Sequence, residues 1–410
     1  MNKINEEKSE NKKIEFKFGL IIFRTKKFSF LFDVLGSKKI TKGTSWIALY
    51  LMPIIAAIGI YILFFSISVL LTTPEAREAG RETGAQSMIL IPGLNPFLPI
   101  VYGWIGIVVG IIIHEGAHGI VARSLGFEVK SSGLLFFLIL PIGAFVEVNE
   151  SQMANGRARE SVRVMAAGPG ANIAVAILSL LAILIIISGI SPAVNGLLVV
   201  GIVDEMPAQK VGIVPNDVIL EVEDVRIKEI KKLKEVLAQK EAGDSISIRL
   251  LNLQNWKEKV AVVNLAETNS GPQIGVQLVA IEPALESSLE NYRHLSLSLP
   301  IIHLIPPTFP AGQGLHPYSD TFGRYYQHSW LDEFYLPVTN LLFWIWFVNV
   351  NLAIFNALPI YPLDGGQAFR YCLQKGFSGR IGDRGSSIIT RVVTLILVLA
   401  VLSLFLFPYF

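Results

Sequence analysis

Charged residues and cysteine are both scarce in this sequence of 410 residues. Only 17% of the residues are charged, against about a quarter in ordinary soluble proteins, which argues against a soluble globular enzyme. Cys372 is the single cysteine, which excludes an internal disulfide and a thiolate metal cluster. The 35 basic and 33 acidic residues nearly balance, so we expect no nucleic-acid partner. What remains is 52% hydrophobic and lies in long blocks, as in an integral membrane protein that is embedded in a lipid bilayer.

Long apolar stretches predict the membrane-spanning helices, each of which needs roughly 20 residues. The five stretches that qualify are Trp46–Leu71, Phe97–Ile113 with its continuation to Leu125, Val164–Ile190, Leu336–Leu363 and Val392–Phe410. A shorter apolar run, Ser131–Val146, is interrupted by Gly133, Pro141 and Gly143. We predict a re-entrant hairpin there, because irregular backbone at membrane depth must be covered by protein or line a cavity. The fold class is therefore a polytopic α-helical membrane protein with a re-entrant hairpin.

The loops between these stretches differ in their content of lysine and arginine. Basic residues cluster before the first stretch, between the second and third, and after the fourth. The loop between the first two stretches holds only Arg77 and Arg81, beside three glutamates. Basic loops face the cytoplasm, so we expect a multi-pass protein of the cell membrane with a cytoplasmic amino terminus. The same topology places residues of about 192–335 outside the cell.

The predicted outer region begins with a pattern typical of a small α+β domain. Its β-type runs and one amphipathic helix are Gly196–Val203, Val218–Val222, Ile246–Leu251, Lys259–Val263 and, for the helix, Lys231–Gln239. The run Val211-Gly212-Ile213 followed by Asn216-Asp217-Val218-Ile219 resembles a PDZ domain, with Asn216 where that family usually has glycine. The resemblance implies an extended peptide or a carboxyl terminus as ligand, bound at a sheet edge. A spacer domain without a ligand is the alternative.

These features predict five parts of the chain. They are a cytoplasmic segment at 1–45, a first membrane part at 46–190, the PDZ-like domain at 192–280, an extracytoplasmic proline-rich connector at 281–335, and a second membrane part at 336–410. The aromatic residues of 14–32 suit a β-hairpin against the cytoplasmic membrane face. The prolines of Leu295–Pro310 exclude a continuous helix, and the role of this stretch is left open.

The most informative motif is His114-Glu115-Gly116-Ala117-His118 at the end of the second stretch. On a helix, His114 and His118 lie one turn apart on one face, where both imidazoles can reach one Zn²⁺. Glu115 is then placed to take a proton from a metal-bound water. Ionisable groups are costly within a membrane, so their default interpretation is functional. A pair of structural histidines beside a buried glutamate is the alternative.

A catalytic zinc normally has three protein ligands, and Asp364 is the predicted third. It follows an uncharged run that begins at Leu336. His118 precedes Arg123 by five positions and Asp364 precedes Arg370 by six, so the two groups are predicted to lie at a similar depth near the inner interface. An aspartate that merely caps a helix is the alternative.

HExxH in a membrane stretch together with the later Asn356-Ala357-Leu358-Pro359-Ile360-Tyr361-Pro362-Leu363-Asp364-Gly365 resembles the site-2 protease family of intramembrane zinc metalloproteases. The resemblance implies that His114, His118 and Asp364 are zinc ligands and that Glu115 is the catalytic base. It also implies that Asn172, in Gly168-Pro169-Gly170-Ala171-Asn172, assists substrate or intermediate binding, and Asn356 matches a second position of this kind. Either amide could instead bond a neighbouring helix.

The predicted function is hydrolysis of peptide bonds in or near transmembrane segments of single-span membrane proteins, as in regulated intramembrane proteolysis. The PDZ-like domain would screen these substrates. A metal transporter and a catalytically inactive relative that binds membrane proteins are the alternatives. We interpret His294, His303, His316 and His328 as ordinary surface histidines. Tyr361 and Arg370 could lie near the site, and anchors at the membrane interface are the simpler interpretation.

Overall fold

The computed structural model describes residues 14–17, 19–26, 29–137, 140–268, 271–376 and 382–410. Residues 1–13 of the predicted cytoplasmic segment lie outside these ranges. The chain divides into two compact units, which are Met1–Ile183 with Asn340–Phe410, and Leu184–Thr339. We call them the membrane unit and the inserted unit.

The amino-terminal part of the chain contains two hairpins and three of the long helices. Its elements are β1 (Ile14–Lys17), β2 (Leu20–Thr25), α1 (Ser29–Gly36), α2 (Lys39–Thr72), α3 (Pro74–Thr83), α4 (Ile100–Ser124), β3 (Val129–Phe137), β4 (Leu140–Val148), α5 (Glu150–Asn155) and α6 (Ala158–Ser188).

The middle of the chain is rich in short strands. Its elements are β5 (Ile190–Pro192), β6 (Leu197–Ile202), α7 (Pro207–Lys210), β7 (Asp217–Val222), β8 (Val225–Arg226), α8 (Ile230–Leu237), β9 (Ser245–Asn252), β10 (Lys257–Asn264), β11 (Ala266–Thr268), β12 (Gly271–Gln273), β13 (Val276–Ala280), α9 (Ile281–Ser298), α10 (Pro310–Gln313) and β14 (Tyr326–His328). The last stretch is helical and comprises α11 (Tyr335–Ala357), α12 (Asp364–Gly376) and α13 (Asp383–Leu406). Short 3₁₀ helices lie at Ala85–Met88, Pro300–Leu304, Gly323–Tyr325, Asp332–Phe334 and Phe407–Tyr409.

Five helices of the described chain are long and apolar enough to cross a membrane, namely Lys39–Thr72, Ile100–Ser124, Ala158–Ser188, Asp332–Ala357 and Asp383–Tyr409. They match the five predicted stretches, although four ends differ by six residues or more. The first helix begins at Lys39 and not at Trp46, and the third begins at Ala158 and not at Val164. The fourth ends at Ala357 and not at Leu363, because Pro359 in the following loop cannot continue a helix. The fifth begins at Asp383 and not at Val392, because a charged first turn is compatible with a helix and an acidic residue there is favourable.

The segment that was predicted to be a re-entrant hairpin is a β-hairpin. Its strands β3 and β4 pair antiparallel, and β2 pairs with the other side of β3 through partners such as Leu20 and Phe137. The resulting sheet has the order β1-β2-β3-β4, so the amino-terminal hairpin and this hairpin form one sheet. The predicted hairpin region at 14–32 is a hairpin as far as Thr25 and is helical from Ser29. Strand β4 is an edge of the sheet and packs against α4.

Glycines on α4 allow α11 to approach closely. A Cβ on Gly106 would lie 2.9 Å from the carbonyl oxygen of Trp344, and one on Gly110 would lie 2.6 Å from Leu352 Cδ1. Small residues allow helix backbones to approach in this way within a membrane. The contact brings the end of α4, which carries the two histidines, next to the loop that leads from α11 to Asp364.

The inserted unit contains an antiparallel sheet of order β10-β9-β7-β6-β13, with β8 paired to β7. Four of its strands and helix α8 coincide with the elements that were predicted for the PDZ-like domain. Its core is formed by aliphatic side chains with no exposed surface, among them Leu197, Ile219, Ile248 and Leu250. Asn216 has a φ of 74°, a left-handed conformation that glycine and asparagine tolerate best. This explains how asparagine can replace the glycine of the PDZ pattern.

The proline-rich connector begins as a helix, since α9 continues to Ser298. After it, a 3₁₀ turn and the short α10 replace the continuous helix that the prolines exclude. Two histidines of this region, His303 and His316, are completely buried beside the rings of Tyr292 and Tyr318. The interpretation of His303, His316 and also His328 as surface residues is therefore wrong, and it holds for His294.

Candidate metal centre

Helix α4 brings the two histidines of the HExxH motif together near its carboxyl end. His114 and His118 are separated by one helical turn, and their ring centroids lie 4.8 Å apart. Both side chains are buried, with 7% and 6% of their residue surface exposed. The apolar residues that precede them place this pair of imidazoles within the candidate span Ile100–Ser124.

Asp364 reaches the same place from the other end of the sequence, as the first residue of α12. Its position depends on a tight turn, which the two glycines after it permit. A Cβ on Gly365 would collide with the carbonyl oxygen of Ala357, and one on Gly366 would collide with the backbone nitrogen of Tyr361. The Asp-Gly-Gly sequence is thus required for the turn from α11 into α12 to fold back on itself.

The three predicted ligands meet at one carboxylate oxygen. Asp364 Oδ2 lies 2.9 Å from His114 Nε2 and 3.2 Å from His118 Nε2. Together they are a group of potential ligands whose donor atoms lie within 4.8 Å of one another. Ligand atoms at about 2.1 Å from a tetrahedral zinc lie roughly 3.4 Å apart, so small outward shifts of these side chains would make room for the ion.

Helix α6 places a polar group next to the Nδ1 atom of each imidazole. His118 Nδ1 donates to the carbonyl oxygen of Val164 at 2.7 Å, which leaves Nε2 free to bind a metal. The amide of Asn172 lies beside His114, with Nδ2 at 3.2 Å from Nδ1. Metal-binding histidines usually donate the N–H of the ring nitrogen that does not bind the metal to a carbonyl or carboxylate oxygen, as His118 does to Val164, and this hydrogen bond orients the ring.

The side-chain amide of Asn172 fits a metal-bound His114 when it is rotated by half a turn. Its Oδ1 is buried and has no hydrogen-bond partner within the described chain. When His114 Nε2 binds a metal, Nδ1 carries the proton and needs an acceptor. The rotated amide presents Oδ1 to that N–H, so that Asn172 Oδ1 and His114 Nδ1 each gain a hydrogen-bond partner. The donor set therefore fits a bound Zn²⁺, with two imidazoles, one carboxylate and supporting groups for both rings.

Gly168 leaves the space that this site needs. A Cβ at this position would lie 2.5 Å from His118 Nε2 and 2.6 Å from both Cε1 and Nε2 of His114. No side chain can therefore occupy this position without displacing the imidazoles. The sequence motif that contains Gly168 and Pro169 indicated that this turn of α6 belongs to the site, but it did not indicate the contact between Gly168 and the two imidazoles.

Glu115 lies beside the three potential ligands and is oriented by the neighbouring sheet. The backbone N–H of Val146 donates to Glu115 Oε2 at 3.1 Å. Val146 belongs to the edge strand β4, so this N–H is directed away from β3 and toward the site. One end of the carboxylate is thereby held, and the other oxygen is available to a water or to a substrate.

A cavity of about 520 Å³ adjoins the site in the membrane unit. Glu115, His118 and Asp364 form part of its wall, β4 and α5 form a second part, and α12 forms a third. Tyr361 and Arg370 also belong to the wall, which agrees with the alternative position near the site and not with the simpler interpretation as membrane-interface anchors. The sequence shows how many residues separate them from Asp364. It does not show that the chain turns so that both side chains line the cavity.

Asn356 was predicted from the resemblance together with Asn172. Its side-chain Nδ2 donates to the carbonyl oxygen of Leu352, one turn earlier on the same helix. A role of Asn356 in substrate binding stays a prediction, and Asn172 is the amide that contacts a metal-site histidine.

Long apolar helices that enclose an HExxH helix and a distant aspartate are typical of membrane-embedded metallopeptidases. The sequence profile described as peptidase family M50 matches residues 102–400, which is well over half of the chain. The chain belongs to peptidase family M50, the family of the site-2 proteases. At the level of the family it is a membrane metalloprotease, and members of this family are in general zinc enzymes.

Two further similarities are weaker. An uncharacterized protein of Methanocaldococcus jannaschii is 26% identical over 348 residues, which cover 84% of this chain and 75% of that protein. The crystal structure of the PDZ domain of an SdrC-like protein from Listeria monocytogenes matches 21% of this chain and 90% of that domain, with 25% identity and a TM-score of 0.19.

Proposed function

We propose that the protein is an intramembrane zinc endopeptidase that hydrolyses peptide bonds in or near transmembrane segments of membrane proteins. One observation carries this proposal: His114 Nε2 and His118 Nε2 converge on Asp364 Oδ2 with Glu115 beside them, at the end of an apolar helix. The ligand atoms come from α4 and α12, which are far apart in the sequence. A convergence of this kind is expected when the residues share one ion.

Glu115 is the general base in this proposal. When bound by His114, His118 and Asp364, Zn²⁺ would lower the pKa of its water and polarise the scissile carbonyl. Glu115 would accept a proton from the attacking water through one oxygen, while Val146 N–H holds the other, and the water oxygen would form the new bond to the scissile carbonyl carbon. The carboxyl group then passes the proton to the leaving amine as the peptide bond breaks.

The substrate must be extended at the scissile bond, because a helix hides its carbonyls in its own hydrogen bonds. Strand β4 provides support for an extended chain next to the site. As an edge strand it has outward backbone groups, of which Val146 N–H already faces Glu115. An unwound substrate segment that pairs with this edge would satisfy its backbone groups as it leaves its helix.

The topology and the partners belong to the same proposal. The loop charges support a cytoplasmic amino terminus and a cytoplasmic end of α4, with the inserted unit outside. The β3–β4 hairpin would then enter the membrane from the cytoplasmic side as a re-entrant element. The PDZ-like sheet would bind a peptide or carboxyl terminus and admit selected single-span proteins, as regulated intramembrane proteolysis requires.

Peptide hydrolysis explains the site better than metal transport does. A transit pathway needs further carboxylates along its length, and the sequence stretches of the spans outside these motifs contain none. An inactive relative would not need a carboxylate between two metal-binding histidines. Glu115 is present and is held in place by a hydrogen bond.

The test compares wild type with Glu115→Gln on a single-span reporter in detergent, with the zinc content of both proteins measured. We expect Glu115→Gln to retain zinc and to lose cleavage by at least about a hundredfold, since a general base contributes that much. Glu78→Gln, which changes an exposed glutamate of α3, is the matched control and should cleave normally. Equal cleavage by wild type and Glu115→Gln would exclude the proposal.

A further inference from the structure

Arg370 stands out among the residues that line the cavity beside the metal centre. It is the one lysine or arginine among the described residues of that wall. Its guanidinium group lies over the ring of Tyr361, with Cζ 5.7 Å from the ring centroid. The reaction that we propose above gives this cation no role.

The guanidinium of Arg370 has few partners for its hydrogen-bond donors. Its Nε is buried and makes no hydrogen bond to any residue that the structure describes. No carboxylate of the described chain lies within ion-pair distance of the group, although several acids line the same cavity. A partly buried cation without a counter-charge loses hydration and gains little in return, so an arriving carboxylate would be bound favourably.

The acidic residues of the cavity do not cancel this preference. Glu147 is already paired with Arg24 at 3.4 Å and with Lys130 at 3.9 Å. Asp364 is engaged by the two histidines, and Glu115 accepts a hydrogen bond from the backbone N–H of Val146. Glu150 is exposed, so its charge remains hydrated and has less need of a partner.

The distance from the candidate metal centre to Arg370 can be expressed as the number of extended substrate residues that would span it. Arg370 follows Asp364 by six positions on α12, which corresponds to about 9 Å along the helix axis. An extended chain covers about 3.3 Å per residue, so this is the length of roughly three residues. Gln367, which lies between Asp364 and Arg370 on α12 and also lines the cavity, makes this path polar.

We propose that Arg370 is a specificity-determining residue that binds a carboxylate of the substrate about two to four residues from the scissile bond. The inference rests on the proposed peptidase function. The carboxylate is either the side chain of an aspartate or glutamate or the free carboxyl terminus of a short substrate. The planar guanidinium can hold both of its oxygens, while Tyr361 limits the directions in which the group can turn.

The experiment measures kcat and KM of the purified full-length protein on reporters with one aspartate at each of the six positions on either side of the scissile bond. Each reporter is paired with an asparagine version. For wild type we expect the aspartate at the matching position to lower KM roughly ten- to hundredfold relative to asparagine, with kcat changed less than about threefold. Arg370→Ala should remove this difference and still cleave the asparagine reporter. Arg370→Lys should retain part of it.

Further arms separate the two sources of the carboxylate. Synthetic reporters that end at the matching position are compared as free acid and as amide. A wild-type preference for the acid that Arg370→Ala abolishes supports a terminal carboxylate, and the aspartate series supports a side chain. Arg370→Glu should prefer lysine to aspartate at the same position. Arg384→Ala, which removes an exposed arginine of α13, is the control and should retain the wild-type preference.

The inference is overturned if Arg370→Ala keeps the wild-type ratio of KM between aspartate and asparagine at every position, and the same ratio between acid and amide. It is also overturned if Arg370→Ala lowers cleavage of all reporters equally. Both results are distinct from failure of the proposed function, in which Glu115→Gln would continue to cleave.

Discussion

Gly168 of α6 lies directly against His118 of α4, since a Cβ built on the glycine would stand 2.5 Å from His118 Nε2. It would stand nearly as close to His114, at 2.6 Å from Nε2. The backbone of α6 thus lies in close contact with both imidazoles of the candidate metal centre. Together with the hydrogen bond from His118 to Val164, this contact makes α6 part of the site although it supplies none of the three potential ligands.

Gly168→Ala should therefore weaken zinc binding without unfolding the protein. Alanine is favoured over glycine in a helix by about 1 kcal/mol, so α6 itself tolerates the change. The added methyl group would push the imidazoles away from Asp364, and we expect the affinity for zinc to fall at least about tenfold. Competition with a chelator measures that affinity. Gly43→Ala, where a Cβ meets nothing within 4 Å, is the control and should bind zinc as wild type does.

Asn172→Ala should also weaken zinc binding, because it removes the group that orients His114 through Nδ1. Loss of such a supporting hydrogen bond typically costs about 10- to 100-fold in metal affinity. Asn356→Ala provides the comparison, since that amide bonds the backbone of its own helix. We expect Asn356→Ala to leave zinc affinity unchanged. Equal effects of the two substitutions would contradict the geometry of the site.

Arg163 joins α6 to α2 at a buried position, and its removal should destabilise the membrane unit. Its guanidinium donates to Ser45 Oγ at 2.6 Å and to the carbonyl oxygen of Lys42 at 3.0 Å, and it lies over the ring of Trp46 at 4.6 Å. Charged hydrogen bonds of this kind contribute about 1.5–3 kcal/mol. Arg163→Ala should lower the Tm in detergent by several degrees, and Arg163→Lys by less.

Arg159→Ala is the matched control for this measurement, because Arg159 lies on the same helix and is exposed. Its Tm should stay within about one degree of wild type, as for most surface substitutions. If Arg163→Ala melts like Arg159→Ala, the buried arginine does not hold α6 against α2.

The grouping of the three potential metal ligands could be predicted from sequence because ionisable residues are rare in apolar stretches. His114 and His118 have helical spacing, and Asp364 ends one of the few uncharged runs of sufficient length. Asn172, which lies beside the second ring nitrogen of His114, was also among the predicted site residues, whereas the contacts of Val164 and Gly168 with the imidazoles could not be predicted. Val164 acts through its backbone and Gly168 through the absence of a side chain, and such roles leave little trace in a residue pattern.

The cavity and the hairpin show a second limit of sequence reasoning. Glycine and proline within Ser131–Val146 are compatible with an irregular loop as well as with a bulged hairpin, and pairing with β2 decides between them. The placement of Arg370 in the cavity wall likewise depends on the turn at Gly365. Contacts between distant segments settle both cases, and they are not encoded in local periodicity.

The connector offers a pH-dependent prediction, because its two buried histidines share the hydroxyl of Tyr292. Tyr292 Oη lies 3.4 Å from Nδ1 of His303 and 3.4 Å from Nδ1 of His316. Burial lowers the pKa of His303 to about 4, and repulsion from His316 adds to this effect. Burial also lowers the pKa of His316 to about 4, although the carbonyl of Ile305 partly stabilises its proton.

These lowered pKa values determine how stability changes with pH. In the unfolded connector both imidazoles take up protons below about pH 6.5, whereas in the folded one they stay neutral down to about pH 4. The free energy of unfolding should therefore be constant above pH 6.5, fall as the pH drops to about 4, and fall no further through these groups. The full loss is about 3 kcal/mol for each imidazole.

Hydrogen exchange of residues 300–318 in the full-length protein, expressed as protection factors, measures this loss. Protection should fall by at least about tenfold between pH 7 and pH 4.5 in wild type, as expected when unfolding becomes easier by more than 1.4 kcal/mol. The double variant His303→Gln/His316→Gln should show no such change, whatever its stability at pH 7. His294→Gln, at an exposed histidine, should follow wild type. A double variant with the wild-type pH dependence would show that other groups are responsible.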